Sequence, residues 1–415
     1  MKNFIHNRNI PINIFFLLIL FCSLLGRIKI PIANLGIHYF FLPIISFAII
    51  GLNFKYVANT FKKHKVILII LGIFYLWMWT SSLISPFPKT SITYSIKYSI
   101  YFLLFIAFLF LNHKNIKASS FYYRCILYLL EIMAILGFVE ALFPNLWIFS
   151  LLKYPSFHPQ IGSIMQNPNQ FGVIVAIGLC LSIILEKQKT ISKAELYISE
   201  FIFIISLALS ASRNAWLVFI VGMFLLLIYK IISFRKMILI ISLWILCIVS
   251  IPVSTYRAGL GDSQIFPLLN LFLADPIETK LPSPVGSALS RFALWQAAIS
   301  EIIKRPIAGL GIGVFPDHIG VKVFGFKGFH AHNIFLNVLV ELGIPGLFIF
   351  TSFLVRLGYL AKSANPIIVI PITMFLASQM FDFFVEDYTF TTIEFCFLAA
   401  ASNSRSRVKS QFVVS

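Results

Sequence analysis

"FHAHNIFLNVLVELGIPGLFIF", residues 329–350, begins with two histidines one residue apart and ends as sequence apolar enough for hydrocarbon. Between its two ends, Asn333, Asn337 and Glu341 recur at every fourth position, which places them on one stripe of a helix. A polar stripe on an apolar helix is costly beside lipid unless it faces protein or a cavity. Imidazoles at the mouth of such a helix need an explanation in terms of what the chain is and what it binds there.

Composition answers the first half of that question. Hydrophobic residues make up 59% of the 415 and charged residues 12%, with a mean hydropathy of +0.92, which excludes an ordinary soluble domain. A helix that crosses about 30 Å of hydrocarbon needs about 20 mostly apolar residues. Twelve such runs, separated by polar or Pro/Gly breaks, predict an all-α integral membrane protein with about 12 transmembrane helices. They lie near residues 10–26, 33–52, 66–85, 96–112, 121–143, 168–185, 196–211, 213–233, 237–254, 345–362, 366–384 and 388–402. The chain thereby divides into N-terminal helices (1–160), central helices (161–254), a long loop (255–344), and C-terminal helices with a tail (345–415).

Lys and Arg concentrate in alternate connections, as in "KKHK" (Lys62 to Lys65), "EKQKTISK" (Glu186 to Lys193) and "SRSRVK" (Ser404 to Lys409). Because short cytoplasmic loops retain positive charge, both termini are expected in the cytoplasm and the long loop on the other side. The net charge of +18 is largely this topological signal. Scattered among loops instead of forming a stripe, the basic residues give no nucleic-acid reading. The first span lacks a small-x-small cleavage site in "ILFCSLLGR" and reads as an uncleaved anchor. Cys22, Cys125, Cys180, Cys247 and Cys396 all lie in apolar runs, so neither a disulfide nor thiolate chemistry is inferred. Glu131, Glu140, Asp382 and Glu394 also lie in apolar runs, where they fit pairing with one another or the protein side of a groove.

Within the long loop, "SRFALWQAAISEIIKRP" sets Phe292, Trp295, Ile299 and Ile302 at helical spacing. This predicts an amphipathic helix with Ser290 as N-cap and Pro306 as its stop, lying on the bilayer or on the bundle. The preceding "LADPIETKLPSPVGSALS" reads as irregular, and sugar specificity is expected there. "GLGIGVF" (Gly309 to Phe315) follows no strand and lacks the dinucleotide-binding spacing; it reads as a flexible turn that returns the chain to the membrane.

Three residues carry the candidate chemistry. Arg213, in "LSASRNAWL", interrupts an apolar stretch at the end of a tight hairpin. Its guanidinium keeps its charge and makes forked contacts that suit phosphate or carboxylate; a snorkelling interfacial arginine fits the position equally well. Arg291 opens the amphipathic helix as a second fixed cation on the same side, though alone it reads as a solvated charge, like Lys304, Arg305, Lys322 and Lys327. His332 sits at the N-terminus of the polar-striped helix, where backbone N–H groups favour an anion. A single histidine is more often structural, but an imidazole titrates near neutral pH and can take a proton from a sugar hydroxyl. A metal site from His330 and His332 with His318 or Asp317 lacks a third ligand at zinc-site spacing, so no metal and no other cofactor is expected. In "IGSIMQNPNQFG" (161–172), Asn167-Pro168-Asn169 signals a turn that caps the next helix, and both asparagines place amides where sugar hydroxyls would need partners.

Taken in order, "GSIMQNPNQFG", "SASRNAW", "SRFALWQAAISEIIKRPIAGLGIGVF" and "HNIFLNVLVELGIPGL" resemble the O-antigen ligase and polymerase family over residues 161–350. The resemblance implies a glycosyltransferase of the bacterial inner membrane, using an undecaprenyl-diphosphate-linked glycan as donor on the periplasmic face. In ligases the acceptor is a sugar hydroxyl of lipid A-core; in polymerases it is another lipid-linked repeat unit. The implied reaction is inverting and needs neither metal nor ATP. The family's two diphosphate-binding arginines fall on Arg213 and Arg291 and its histidine on His332. His330, Asn333, Asn337, Glu341, Asn167 and Asn169 are then supporting or substrate-contacting residues, and membrane lipids are the remaining partner. The arrangement looks closest to a ligase. A protein O-glycosylating transferase would be a longer chain. A transporter of anions or lipid-linked glycans would explain the spans and cations but not the long loop, and no internal repeat supports it.

Overall fold

The computed structural model describes residues 9–24, 29–30, 35–36, 38–111, 116–143, 160–165, 167–251, 284–325, 327–361, 366–382 and 388–403. The helices are α1 (Asn9–Leu24), α2 (His38–Leu52), α3 (Val57–Leu83), α4 (Pro88–Leu111), α5 (Ile116–Leu142), α6 (Pro168–Lys187) and α7 (Lys193–Ser210). They continue as α8 (Arg213–Ile228), α9 (Phe234–Ser250), α10 (Pro284–Lys304), α11 (Phe315–Phe324), α12 (Ile334–Ala361), α13 (Pro366–Gln379) and α14 (Tyr388–Asn403). One two-residue antiparallel pair, Lys29–Ile30 with Leu35–Gly36, accompanies them. The described residues are all-α apart from that pair, as expected, and each predicted span overlaps a helix. By length and composition, five described segments can cross a membrane: Val57–Leu83, Pro88–Phe110, Phe121–Leu142, Pro168–Lys187 and Ile334–Leu360. His38–Leu52, Arg213–Ile228, Pro366–Gln379 and Phe390–Ala399 are shorter apolar helices.

Helix ends follow the local sequence. Asn167 caps α6 by accepting from Asn169 N–H, with Pro168 at the first helical position. At α7, Ser192 and Glu195 form a reciprocal capping box. The predicted hairpin before Arg213 is made by Ala211 in the left-handed region (φ 48°) and by Ser212, whose hydroxyl caps α8. One expected boundary differs: α10 starts at Pro284, so Ser290 lies inside the helix and does not cap it. The fixed φ of proline suits a first helical position, which is what lets the Pro/Ser-rich stretch turn helical there. The rest of that stretch, residues 273–283, and the basic tail after 403 lie outside the described residues.

The helices form two compact units, Met1–Ala118 with Leu289–Val369 and Gln379–Ser415, and Ser119–Ala288 with Ile370–Ser378. In the second, α6 is buried along nearly its whole length and packs against α7 and α8. In the first, α4 packs on α2, α3 and α14, and α3 packs on α12.

A break in α12 organises the first unit. Gly343 leaves the helical region (φ 68°, ψ −172°), dividing α12 into a short leading helix and the apolar span that Pro345 begins. Pro345 has no N–H for the Glu341 carbonyl, so the carbonyls at the break need other donors. The "GLGIGVF" segment supplies two. Leu310 N–H donates to Val340 O (2.9 Å) and Gly311 N–H to Glu341 O (2.8 Å), while Ile344 N–H turns to Pro306 O (2.8 Å). From α3, Trp77 Nε1 donates to Leu342 O (2.8 Å) and Ser81 Oγ reaches Ala308 O (2.7 Å). The glycine segment is therefore a fixed cap, not the flexible turn its composition suggested. Gly309 adopts φ 68°, and a Cβ there would lie 2.4 Å from Glu341 O.

Two predictions concern this region. Gly309→Ala should destabilise the first unit by about 1–3 kcal/mol from backbone conformation alone, with the steric clash adding to it, read as a lower unfolding temperature in detergent. The second concerns Glu301 on α10, which is buried, pairs with Lys304 (2.9 Å) and Lys322 (3.2 Å), and ties α10 to α11. The Lys304 hydrogen bond, aided by Lys322 and opposed by burial, holds its carboxyl below the ordinary value. A lowered carboxylate contributes stability above its unfolded value that is lost as pH falls through the folded one. Glu301→Gln should therefore be less stable than the parent at neutral pH, and the gap should close as the pH falls through the acidic range, measured by thermal unfolding against pH.

Candidate active site

The α12 cap fixes where the leading helix points, and that helix presents His332. His332 adopts φ 51°, the left-handed region that costs a side-chain-bearing residue about 1–2 kcal/mol. Neighbouring contacts hold it there. Trp295 Nε1 on α10 donates to Ala331 O (2.7 Å). Asn333 caps α12 by accepting from Leu336 N–H (3.0 Å) and donates its amide to Met380 O (3.1 Å). The backbone segment is thus tied to α10 in front and to the chain after α13 behind.

His332 Nδ1 lies 2.9 Å from Asp382 Oδ1; the imidazole is partly exposed (26%) and the carboxylate almost fully buried (6%). Pairing at Nδ1 fixes the ring orientation and leaves Nε2 as the ring nitrogen not engaged by Asp382. Asp382 is the residue that sequence reading did not assign. It lies fifty positions downstream, and its only signal was a carboxylate in an apolar stretch, which fits a partner but does not say whose.

The polar stripe behind His332 turns inward, to protein and not to lipid. Asn337 is buried, with Oδ1 3.5 Å from Ala331 N. Glu341 is buried too, and its Oε1 accepts from Phe315 N–H (3.1 Å), serving the N-terminus of α11. His330 is half-buried.

Arg291 lies on α10 one turn before Trp295, on the flank that meets the His332 segment through the Trp295–Ala331 bond. Leu294 and Ala298 anchor α10 in a core with Leu310, Val314, Phe315, Ile319, Ala331 and Val340. The same packing that buries α10 thus sets Arg291 and His332 on elements joined directly to each other. The predicted apolar face differs in detail: Leu294 and Ala298 are the buried positions, whereas Phe292 and Ile299 are exposed. Periodicity located the helix but could not choose between its two apolar faces.

Arg213 is held in the second unit, half-buried at the first position of α8. Its backbone is pinned on both sides. Ser212 Oγ accepts from Ala215 N–H (3.2 Å) and donates to Asn169 Oδ1 (2.8 Å), while Asn214 Nδ2 donates to Ser378 O (3.1 Å). Asn167 and Asn169 thus serve helix ends, Asn167 that of α6 and Asn169 that of α8. Upstream, Glu140 accepts from Gly162 N–H (3.1 Å) and Ser163 N–H (2.7 Å), and Gln160 donates to Ser210 O (3.3 Å) and Ala211 O (3.2 Å), so the segment before α6 is anchored to the hairpin.

The other residues weighed as metal ligands have different partners. Asp317 pairs with Lys327 (3.3 Å), and His318 stacks on Phe87 with ring centroids 4.5 Å apart. No group of three His, Cys, Asp or Glu side chains suited to a metal ion occurs among the described residues.

Comparison with known proteins adds one match. No curated protein matches the chain at a significant level. Residues 198–351, which include Arg213, Arg291 and His332, match the family described as O-Antigen ligase. The segment that carries all three residues is thus similar to the O-antigen ligase family, and five described helices of the chain are long and apolar enough to cross a membrane.

Proposed function

We propose that this protein is an O-antigen ligase-like glycosyltransferase that moves a glycan from undecaprenyl diphosphate to a sugar hydroxyl of lipid A-core at the periplasmic face of the bacterial inner membrane. The observation that carries the proposal is the His332–Asp382 pair at 2.9 Å, with His332 in a segment matching that family. About twelve spans with both termini in the cytoplasm, and the long connection 255–344 in the periplasm, complete the reading; the basic cytoplasmic clusters support it.

His332 Nε2 takes the proton of the acceptor hydroxyl as its oxygen bonds to the anomeric carbon of the donor. The bond from that carbon to the phosphate oxygen breaks on the opposite face, inverting the configuration and releasing undecaprenyl diphosphate. Asp382 steadies the imidazolium that forms. Charge that develops on the departing diphosphate is met by fixed cations, for which Arg213 and Arg291 are the candidates. A charge-assisted hydrogen bond contributes about 1.5–3 kcal/mol, so losing either arginine should cost about ten-fold or more in turnover or binding. Neither a metal nor a nucleotide has a step in this scheme. Asn167, Asn337 and Glu341 act through the backbone they hold, Asn169 acts through the Ser212 hydroxyl, and His330 supports the segment it shares with His332.

Ligase and polymerase share donor and leaving group, so the same site serves a polymerase that joins lipid-linked repeat units; the ligase reading rests on the closer likeness of the Arg, Arg and His-Asn motifs. Deleting the gene and profiling surface glycolipids separates the two. Bare core with accumulated lipid-linked polymer is the ligase outcome, and core bearing a single repeat is the polymerase outcome. Unchanged surface glycans would remove both.

Arg213→Ala and Arg291→Ala should each lower glycan transfer by purified protein in detergent by about ten-fold or more, and His332→Asn should abolish it, while membrane insertion is retained. Asparagine tolerates the left-handed backbone, so normal activity in that variant would remove the base assignment. For Asp382→Asn we expect turnover to fall by about a hundred-fold or more with little change in KM, since a partner that stabilises the imidazolium acts in the transition state.

A further inference from the structure

Helix α10 has two apolar faces, and among the described residues only one of them is covered by protein. Leu294 and Ala298 point into the core described above. Half a turn away, Phe292 (62%), Ile299 (53%) and Ile303 (75%) form a second stripe that stands exposed. Ile307, just past the end of the helix, is also exposed (65%). A run of large exposed apolar side chains on a helix already anchored by its opposite face marks an interaction surface.

Two features identify the occupant. The stripe continues onto a helix apolar and long enough to span a membrane: Pro306 O accepts from Ile344 N–H (2.8 Å), and the part of α12 that begins there exposes Ile344 and Phe348. Charge is the second. Arg291 lies next to Phe292, and Lys304 and Arg305 close the other end, against one acidic residue, Glu301, which faces inward to its lysines. Basic ends around an apolar stripe are what an interfacial helix offers to anionic headgroups.

We propose that the Phe292–Ile299–Ile303–Ile307 stripe is seated in the headgroup and acyl boundary of the bilayer leaflet on this side of the membrane, with α10 lying flat between lipid and the loop core. Anionic phospholipid headgroups engage Arg291, Lys304 and Arg305 at the rim. Arg291, on the flank of the helix, is then fixed at the depth where a lipid-linked phosphate group travels. That last consequence rests on the diphosphate-binding role proposed for Arg291; the seating of the helix does not.

The test uses the full chain with its native cysteines replaced, reconstituted into vesicles that contain phosphatidylglycerol. An environment-sensitive fluorophore is placed at Ile303→Cys and, as a water-exposed reference, at Lys327→Cys. The expected result is strong quenching at position 303 by nitroxide-bearing phospholipids and weak quenching by aqueous iodide, with the reverse at position 327. Iodide quenching at 303 equal to that at 327 would overturn the proposal, as would disulfide-linked dimers through 303, which would make a second copy the occupant. Photoreactive phospholipids applied to the unsubstituted protein give an independent readout; the expected adducts map to residues 292–307, and labelling confined to the spans would count against the seating. None of these measurements needs donor or acceptor glycan, so they stand or fall apart from the transferase reading.

Discussion

Backbone hydrogen bonding at one helix break underlies the arrangement around His332. Where Gly343 and Pro345 interrupt α12, the carbonyls of Val340, Glu341 and Leu342 lose their helical donors and gain Leu310, Gly311 and Trp77 instead. An unpaired buried carbonyl is expensive, about 1–3 kcal/mol, so the break persists only because the glycine segment and α3 close on it. That closure positions the leading half of α12, and with it the residues on either side of His332. It also brings Pro306 and Ile307, the continuation of α10, against the start of the membrane span.

From that seat the polar residues divide into those that hold and those that face outward. Glu341 and Asn337 lie inside, bonding or approaching backbone N–H groups at Phe315 and Ala331. Asn333 caps a helix and ties it to Met380. His332 alone of this series combines partial exposure with a buried carboxylate partner, in a backbone conformation that its neighbours must sustain. A strained residue kept in place by several contacts is a common mark of a functional position. In the second unit the backbone at Arg213 is held in the same way, since its neighbours Ser212 and Asn214 are both bonded.

Helix α10 ties the His332 segment to the loop core. It buries Leu294 and Ala298, lends Trp295 to the Ala331 carbonyl, and leaves a second apolar stripe facing away from the protein. A loop anchored in this way is an ordered shelf, built from a helix that protein packing and apolar exposure share.

Several properties of this protein were determined by sequence alone, because they depend on local chemistry. Apolar runs of membrane length fell on helices, Asn167 and Pro168 announced the start of α6, and the ordered motifs singled out Arg213, Arg291 and His332 as candidates. Tertiary structure decided what depends on residues far apart in the chain. Asp382 became the partner of His332 across fifty positions, and the glycine segment became a cap because Val340 and Glu341 lacked donors. Packing also chose which apolar face of α10 is buried. Hydrophobic periodicity reports that a face is apolar; only the neighbouring elements determine whether protein or another phase covers it.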